Sequence, residues 1–163
     1  EALDMRVIAY DPFLDAGAAD GAELVTFDEL LAQADAISVH APLTDSTRRL
    51  FDANAFARMR QGVIFVNSAR GALVDQEALL AAIDAGRVGA AALDVTEPEP
   101  LPPDDPLLHR PRIVVTPHIA SATSAGRLRL YEHAIENALG VLSGAVGSET
   151  AVVVNPEVLE VRP

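Results

Sequence analysis

Short apolar runs alternate along this chain with stretches in which apolar residues recur every three or four positions. Residues 5–10 (MRVIAY) form the first run, rich in strand formers, and Asp11-Pro12 stops it because a residue before proline is pushed out of the helical region. The run predicts a buried strand with Asp11 at its carboxyl end. At residues 25–29 the pattern changes: Thr26 with Glu29 three positions on is a capping box, and Leu30-Leu31-Ala32 follows, so a short helix begins there. Residues 36–39 (AISV) then make a strand that runs into His40-Ala41-Pro42. The same alternation predicts a helix over 53–59, a strand over 63–67, a helix over 75–85 capped by Asp75 and stopped at Gly86, and strands over 89–95 and 113–116. Strands that are apolar at successive positions, not at every second one, mark parallel strands covered on both faces, so the pattern predicts an α/β fold.

A proline-rich stretch over 98–111 predicts an ordered surface loop or excursion. Beyond it, Ser124 is placed to cap a long helix with Leu128, Tyr131, Ile135, Leu139 and Leu142 spaced along one face. Residues 151–156 (AVVVNP) read as a short extended segment docking outside the sheet. No internal repeat or low-complexity tract interrupts the order.

The 163 residues suffice for one ordinary domain, and an apolar half with 22% charged residues places the chain among globular proteins. Twenty-four acidic residues against 12 basic ones give a net charge of −12, and the basic residues are scattered, so nucleic acid and anionic membranes are poor partners. The chain has no cysteine, which excludes disulfides and thiolate chemistry. With no signal segment and no long apolar run, a soluble, cytoplasmic protein is expected.

In open parallel sheets ligands bind beyond the carboxyl ends of the strands, where loops converge and helix N-termini point. The polar residues at those ends are Asp11, His40, Asn67-Ser68-Ala69-Arg70-Gly71, Asp94 and His118. Any one of them could simply solubilise a strand end; five coinciding ends point to a site. Asp11 stands where a carboxylate accepts from adenosine ribose hydroxyls and repels a 2′-phosphate, favouring NAD. The glycine-rich phosphate loop belongs about 20 residues upstream of such an Asp, ahead of residue 1, so the expected sheet lacks its first strand and phosphate loop. Arg70 carries a planar fork suited to gripping a carboxylate with two hydrogen bonds, the alternative being a pair with a surface acid. His118 follows a proline, and a carboxylate reaching it would orient the ring for proton transfer; both Glu97 and Glu99 stand within range of that role. No metal site is expected from His40 and His118, and His109 and His133 are expected to face solvent.

At these positions the sequence closely resembles the NAD-dependent D-2-hydroxyacid dehydrogenase family. The matching stretches are VIAYDP (7–12), HAPLTDSTRRLFD (40–52), VNSARGALVDQEALLAAIDAGRVGAAALDVTEPEP (66–100) and VVTPHIASAT (114–123). The resemblance implies an incomplete Rossmann-like parallel sheet with covering helices over residues 1–144, and a tail over 145–163 belonging to a second, substrate-binding domain. It implies that Arg70 binds the carboxylate of a 2-hydroxy or 2-oxo acid, that His118 gives or takes the proton on oxygen, and that Glu99 holds and polarises His118. It implies NAD as cofactor, with Asp11 on the adenosine ribose, Thr47 near the pyrophosphate and Asp94 at the nicotinamide carboxamide or ribose. Further cofactor contacts are implied at His40, Ala41, Ser68, Ala69, Arg70 and His118. Ala41 stands where family members often have threonine, and a main-chain contact would serve there. Glutamate at 99 argues against a formate dehydrogenase, whose pattern has glutamine there. A homodimer through the nucleotide domains is also implied. Two other readings share these motifs: an NAD(H)-sensing interaction module of the corepressor kind, and an inactive portion of the dehydrogenase.

Overall fold

A computed structural model describes residues 4–15 and 21–144 of the chain. The chain divides into two compact units, Glu1–His118 and Ile119–Pro163. The expected tail over 145–163, with its extended segment, lies outside the described residues, as does the proposed division between 144 and 145.

In the first unit, strands β3 (Ala36–Val39), β4 (Val63–Asn67), β5 (Val88–Leu93) and β6 (Ile113–Val115) form a parallel sheet in that order, giving the expected α/β fold. β3 and β4 occupy the predicted ranges. β5 begins one residue early and ends two residues short of the prediction. Strands β1 (Ile8–Ala9) and β2 (Glu23–Leu24) form a separate parallel pair. Here the expectation of a buried first strand fails: only Ile8 and Ala9 are paired and half-buried, while Met5, Val7 and Tyr10 are 58%, 50% and 41% exposed. The strand's only partner among the described residues is the two-residue β2, which leaves its apolar side chains largely uncovered.

Helix α1 (Phe27–Gln33) starts at the predicted capping box: the Thr26 hydroxyl accepts from the Glu29 N–H, and the Glu29 carboxylate accepts from the Thr26 N–H at 2.9 Å and its hydroxyl at 2.7 Å. Those two donors hold the Glu29 carboxyl below its ordinary value. Helix α2 (Ala53–Arg58) is capped by Asp52, and α3 (Gln76–Asp84) by Asp75. Gly86, at φ +71°, turns the chain out of α3, a conformation that costs glycine nothing.

The helices cover one face of the sheet. Ile37, Val39, Val63, Phe65, Val88, Ala91 and Leu93 are buried together with Leu31, Phe56, Met59, Leu73, Leu79 and Ile83. Each fully buried Leu, Ile or Phe contributes about 1.5–3 kcal/mol of transfer free energy. Edge-to-face rings run through this layer, with centroids 5.8 Å apart for Phe27–Phe51, 5.0 Å for Phe51–Phe65 and 5.4 Å for Phe56–Phe65. The other face differs from the expectation of cover on both sides: Ala36, Ser38, Ile64 and Val114 are exposed, Ile64 at 43% and Val114 at 61%. Burial therefore alternates along β3, although its sequence is nearly apolar throughout.

In the second unit α4 (Ser124–Leu142) is the longest helix described. Its cap is Thr123, not Ser124: the Thr123 hydroxyl accepts from the Gly126 N–H at 2.9 Å, and Ser124 is the first helical residue. The expected apolar stripe is present, with Leu128, Tyr131, Ile135, Leu139 and Leu142 all more than half exposed. Among the described residues no helix is long and apolar enough to cross a membrane.

Candidate active site

Because β3 to β6 are parallel and in sequence order, the residues that follow them line one edge of the sheet in the same order: His40, then residues 68–70, then Asp94, then His118. Main-chain bonds carry the ladder past the strand ends, with the Asp94 N–H donating to Asn67 O, Thr116 N–H to Leu93 O and His118 N–H to Asp94 O, each at 2.9 Å. The edge is thus a fixed frame. Asp11 follows β1 in the separate two-stranded sheet, where Oδ1 accepts from the Phe13 N–H at 2.9 Å and so braces the turn.

His118 has φ +53°, the left-handed region that a side chain with a Cβ rarely adopts. Its Nδ1 lies 2.6 Å from Glu99 Oε1, and both side chains are partly exposed. A ring nitrogen engaged by a carboxylate fixes the ring's orientation and directs Nε2 to the other side. Glu99 Oε2 accepts from the Thr96 N–H at 3.4 Å, while the Thr96 hydroxyl donates to Pro98 O at 2.8 Å. The sequence leaves two carboxylates open for this partner; the structure separates them. Glu97 pairs with Arg48 at 3.1 Å, and Glu99 takes the histidine.

Arg70 is exposed and donates to Ala69 O at 2.6 Å. Among the described residues it makes no salt bridge. The loop beneath it is held by Asn67, a buried polar residue whose amide uses both ends: Nδ2 donates to Arg70 O at 2.9 Å and Oδ1 accepts from the Ala69 N–H at 3.0 Å. Gly71 comes next, and a Cβ there would lie 2.1 Å from the Thr96 carbonyl carbon, so the Arg70 loop packs directly on the loop that carries Glu99.

The remaining expected contacts are distributed along the same edge. His40 Nε2 lies 2.9 Å from Ser38 Oγ. Ala41 is half-buried against the core, and Ser68 and Ala69 are half-buried in the turn after β4. Thr47 Oγ1 donates to Pro42 O at 2.7 Å and accepts from the Thr44 N–H at 2.8 Å, which rigidifies the 42–47 turn. The Asp94 carboxylate accepts from the Thr116 hydroxyl at 2.5 Å. His109, against Pro103 O, and His133 are exposed, as expected. Sequence reasoning did not single out Arg48, Gln76, Thr96 or Thr116. Gln76 reads only as the first residue of a helix, and nothing local signals its partner 21 residues on.

Comparison with known proteins gives the fold a lineage. The chain is 51% identical over 132 residues to a D-3-phosphoglycerate dehydrogenase of Archaeoglobus fulgidus, a match covering 80% of this chain and 25% of that protein. It is 40% identical over 161 residues to a glyoxylate reductase of Korarchaeum cryptofilum, covering 98% of this chain and 48% of the relative. The crystal structure of D-lactate dehydrogenase with NAD+ from Lactobacillus jensenii superposes with a TM-score of 0.79 at 30% identity, over 93% of this chain and 49% of that one. The chain therefore spans about a quarter to a half of the length of these relatives. Residues 1–120 match the family described as D-isomer specific 2-hydroxyacid dehydrogenase, NAD binding domain, and the chain belongs to that family.

Proposed function

We propose that this chain supplies the NAD(H)-binding and proton-transferring part of an oxidoreductase that moves a hydride between NAD(H) and C2 of a D-2-hydroxy or 2-oxo acid. The observation that carries the proposal is the 2.6 Å pair of His118 and Glu99, held at the carboxyl edge of a parallel sheet that also carries, after β4, an arginine with no salt bridge among the described residues. The residues present fit the cofactor. Asp11 Oδ1 is engaged by its own turn, and the carboxylate is exposed at a strand end, where ribose hydroxyls can donate to it. The turn braced by Thr47 and the half-buried Ser68-Ala69 turn offer main-chain groups along the same edge, with Asp94 between β5 and β6.

When bound, NADH supplies the hydride, and the protein's share is orientation and charge. Arg70 grips the carboxylate of the 2-oxo acid through its guanidinium fork, which fixes C2 and its oxygen relative to the sheet edge. Nε2 of His118 gives its proton to that oxygen as the C2–O π electrons move onto it, and Glu99 stabilises the ring while it is positively charged. In the oxidative direction the neutral ring takes the hydroxyl proton. A salt-bridged arginine could not offer the same fork to substrate without first breaking its pair.

The test is turnover by the intact protein that carries this chain, followed as loss of NADH with glyoxylate, hydroxypyruvate or pyruvate. R70A is expected to lower kcat/KM by about 10- to 100-fold, the loss of charge-assisted hydrogen bonds. H118N keeps a residue that tolerates positive φ and is expected to lose about 10²- to 10⁴-fold. Wild-type kcat/KM in both variants would overturn the proposal, and NADH binding without turnover, coupled to association with another protein, would favour a sensing role instead.

A further inference from the structure

Two hydrogen bonds outside the site bear on where Glu99 sits. Gln76 is the first residue of α3, and its side-chain amide faces the main chain of Glu97: Oε1 accepts from the Glu97 N–H at 2.9 Å, and Nε2 donates to Glu97 O at 2.7 Å. One planar amide thus satisfies both polar atoms of one residue, as a neighbouring strand would. A single hydrogen bond lets a peptide swivel about it; two from a rigid plane fix its position and its tilt. Glu97 is held on its other side by Arg48, whose Nη1 lies 3.1 Å from Oε1.

The two arms of this clamp stand on one base. The segments carrying Arg48 and Gln76 are joined by a parallel bridge between Phe51 and Val74. Arg49 N–H donates to Ala72 O at 2.8 Å, Phe51 N–H to Leu73 O at 3.0 Å and Asp75 N–H to Phe51 O at 3.0 Å. Phe51, Leu73 and Val74 are buried, and the Phe51 ring packs on Phe65 of β4. The clamp is therefore anchored in the core, not on a free loop.

We propose that Gln76 is a positioning residue, whose amide, by fixing the main chain of Glu97, sets where the Glu99 carboxylate meets His118. The proposal rests on the roles given above to Glu99 and His118. Transmission over two residues is short and stiff. Pro98 lies between Glu97 and Glu99, its φ locked by the ring, and its carbonyl is tied to the Thr96 hydroxyl at 2.8 Å. A shift at Glu97 therefore reaches Glu99 with little absorbed on the way. There is also room for the shift: a cavity of about 200 Å³, lined in part by Arg49, Asp75, Gln76 and Glu97, lies beside the clamp. Without the amide, the loop can relax into that space.

A purely structural role would cost stability alone; positioning costs the step in which Glu99 takes part. The decisive comparison is Gln76→Met, which keeps the length and removes both hydrogen bonds, made in the intact protein with Glu99 present and in an E99Q background. With Glu99 present, Q76M is expected to lower kcat for a 2-oxo acid about tenfold, the scale of a sub-ångström misplacement, with KM for NADH changed less than about twofold. In the E99Q background Q76M is expected to add nothing, because the group it positions is gone. The 15N signals of the His118 ring, assigned by their loss in H118N, are expected to move in Q76M, reporting a changed Nδ1 partner without any need for turnover. An equal loss of kcat in both backgrounds, an unchanged kcat, or unmoved ring signals in Q76M overturns the proposal. If the wild-type protein turns over no 2-oxo acid, the function proposed above fails by itself, and the ring signals alone decide the role of Gln76. Gln76→Ala carries the same expectations should the methionine variant fail to fold.

Discussion

Substituting alanine for Gly71 tests how the two site loops are spaced. Gly71 is buried as the first residue of a 3-10 turn (Gly71–Leu73), and an added Cβ would lie 2.1 Å from the Thr96 carbonyl carbon, 2.2 Å from its oxygen and 2.6 Å from its Cα. Non-bonded carbons sit best at about 3.5–4.0 Å, so the two main chains must separate by more than ~1 Å. Both sides of the contact are backbone, and neither can rotate away as a side chain would. Overpacking costs about 1–3 kcal/mol, and a backbone collision belongs at the upper end. At about 2–4 °C per kcal/mol for an unfolding unit of about 150–250 residues, about 3 kcal/mol lowers the Tm of the domain that holds Gly71 by roughly 6–12 °C. Gly62 is the matched control: it has φ +81° and nothing within 4 Å of an added Cβ, so G62A bears only the left-handed backbone cost of about 1–2 kcal/mol. Thermal unfolding of the intact protein by far-ultraviolet circular dichroism measures both. A G71A melt within about 2 °C of wild type, or above that of G62A, would refute the close-contact account, since the loops would then have absorbed the methyl without strain.

Two further outcomes follow from the helix starts. Asp52 Oδ1 accepts from the Ala55 N–H at 2.8 Å, so D52A is expected to cost about 1 kcal/mol in chemical denaturation, with an unchanged slope against denaturant. For Glu29, the folded-state pKa lies below the unfolded one because the Thr26 N–H and hydroxyl donate to the carboxylate. Its contribution to stability is thus fully present above the ordinary value of 4.5 and is lost as pH falls through the folded value. E29Q keeps a capping oxygen without the titration, so the Tm advantage of wild type over E29Q should shrink on acidification below that value, and a difference that stays constant down to the folded value would contradict it.

What was legible in the sequence is what local chemistry decides. Thr26 and Glu29 find each other within one turn, Asp52 and Asp75 cap their own helices, and residues 36–39 and 63–67 are strands because β-branched and aromatic residues crowd there. What depends on partners distant in sequence was not legible. β2 is two residues whose only strand signal is pairing with Ile8 and Ala9. The expected burial of residues 5–10 and the expected cover on both sheet faces fail for the same reason: an apolar residue states what it prefers, not what is there to cover it. Ile64 and Val114 are as apolar as Phe65 and Leu93, yet only the latter pair meets the helices. For the site, motif order singled out Arg70, Glu99 and His118, but the choice between Glu97 and Glu99 needed Arg48 and Gln76, which are 49 and 21 residues from Glu97.

The contacts that space Arg70 and Glu99 differ in kind from the groups they space, and the difference has an energetic consequence. The Arg48–Glu97 salt bridge is half-exposed on both sides, and pairs of that sort contribute about 0–1 kcal/mol, too little to fix a loop against thermal motion by themselves. Asn67 and Gln76 bond to main-chain atoms, and Gly71 lets one main chain rest on another. Asn67 in particular is buried, and losing its amide would remove its bonds to the Ala69 N–H and the Arg70 carbonyl, at about 0.5–1.5 kcal/mol for each bond. Arg70 and Glu99 are exposed and contribute little to this framework. Substitutions at those two positions should therefore change chemistry while leaving the fold in place, whereas substitutions at Asn67 and Gly71 should change both together. The side chains to which the proposal gives the chemistry thus stand on loops whose geometry is set by Asn67, Gly71 and Gln76, residues to which the proposal gives no part in the chemistry.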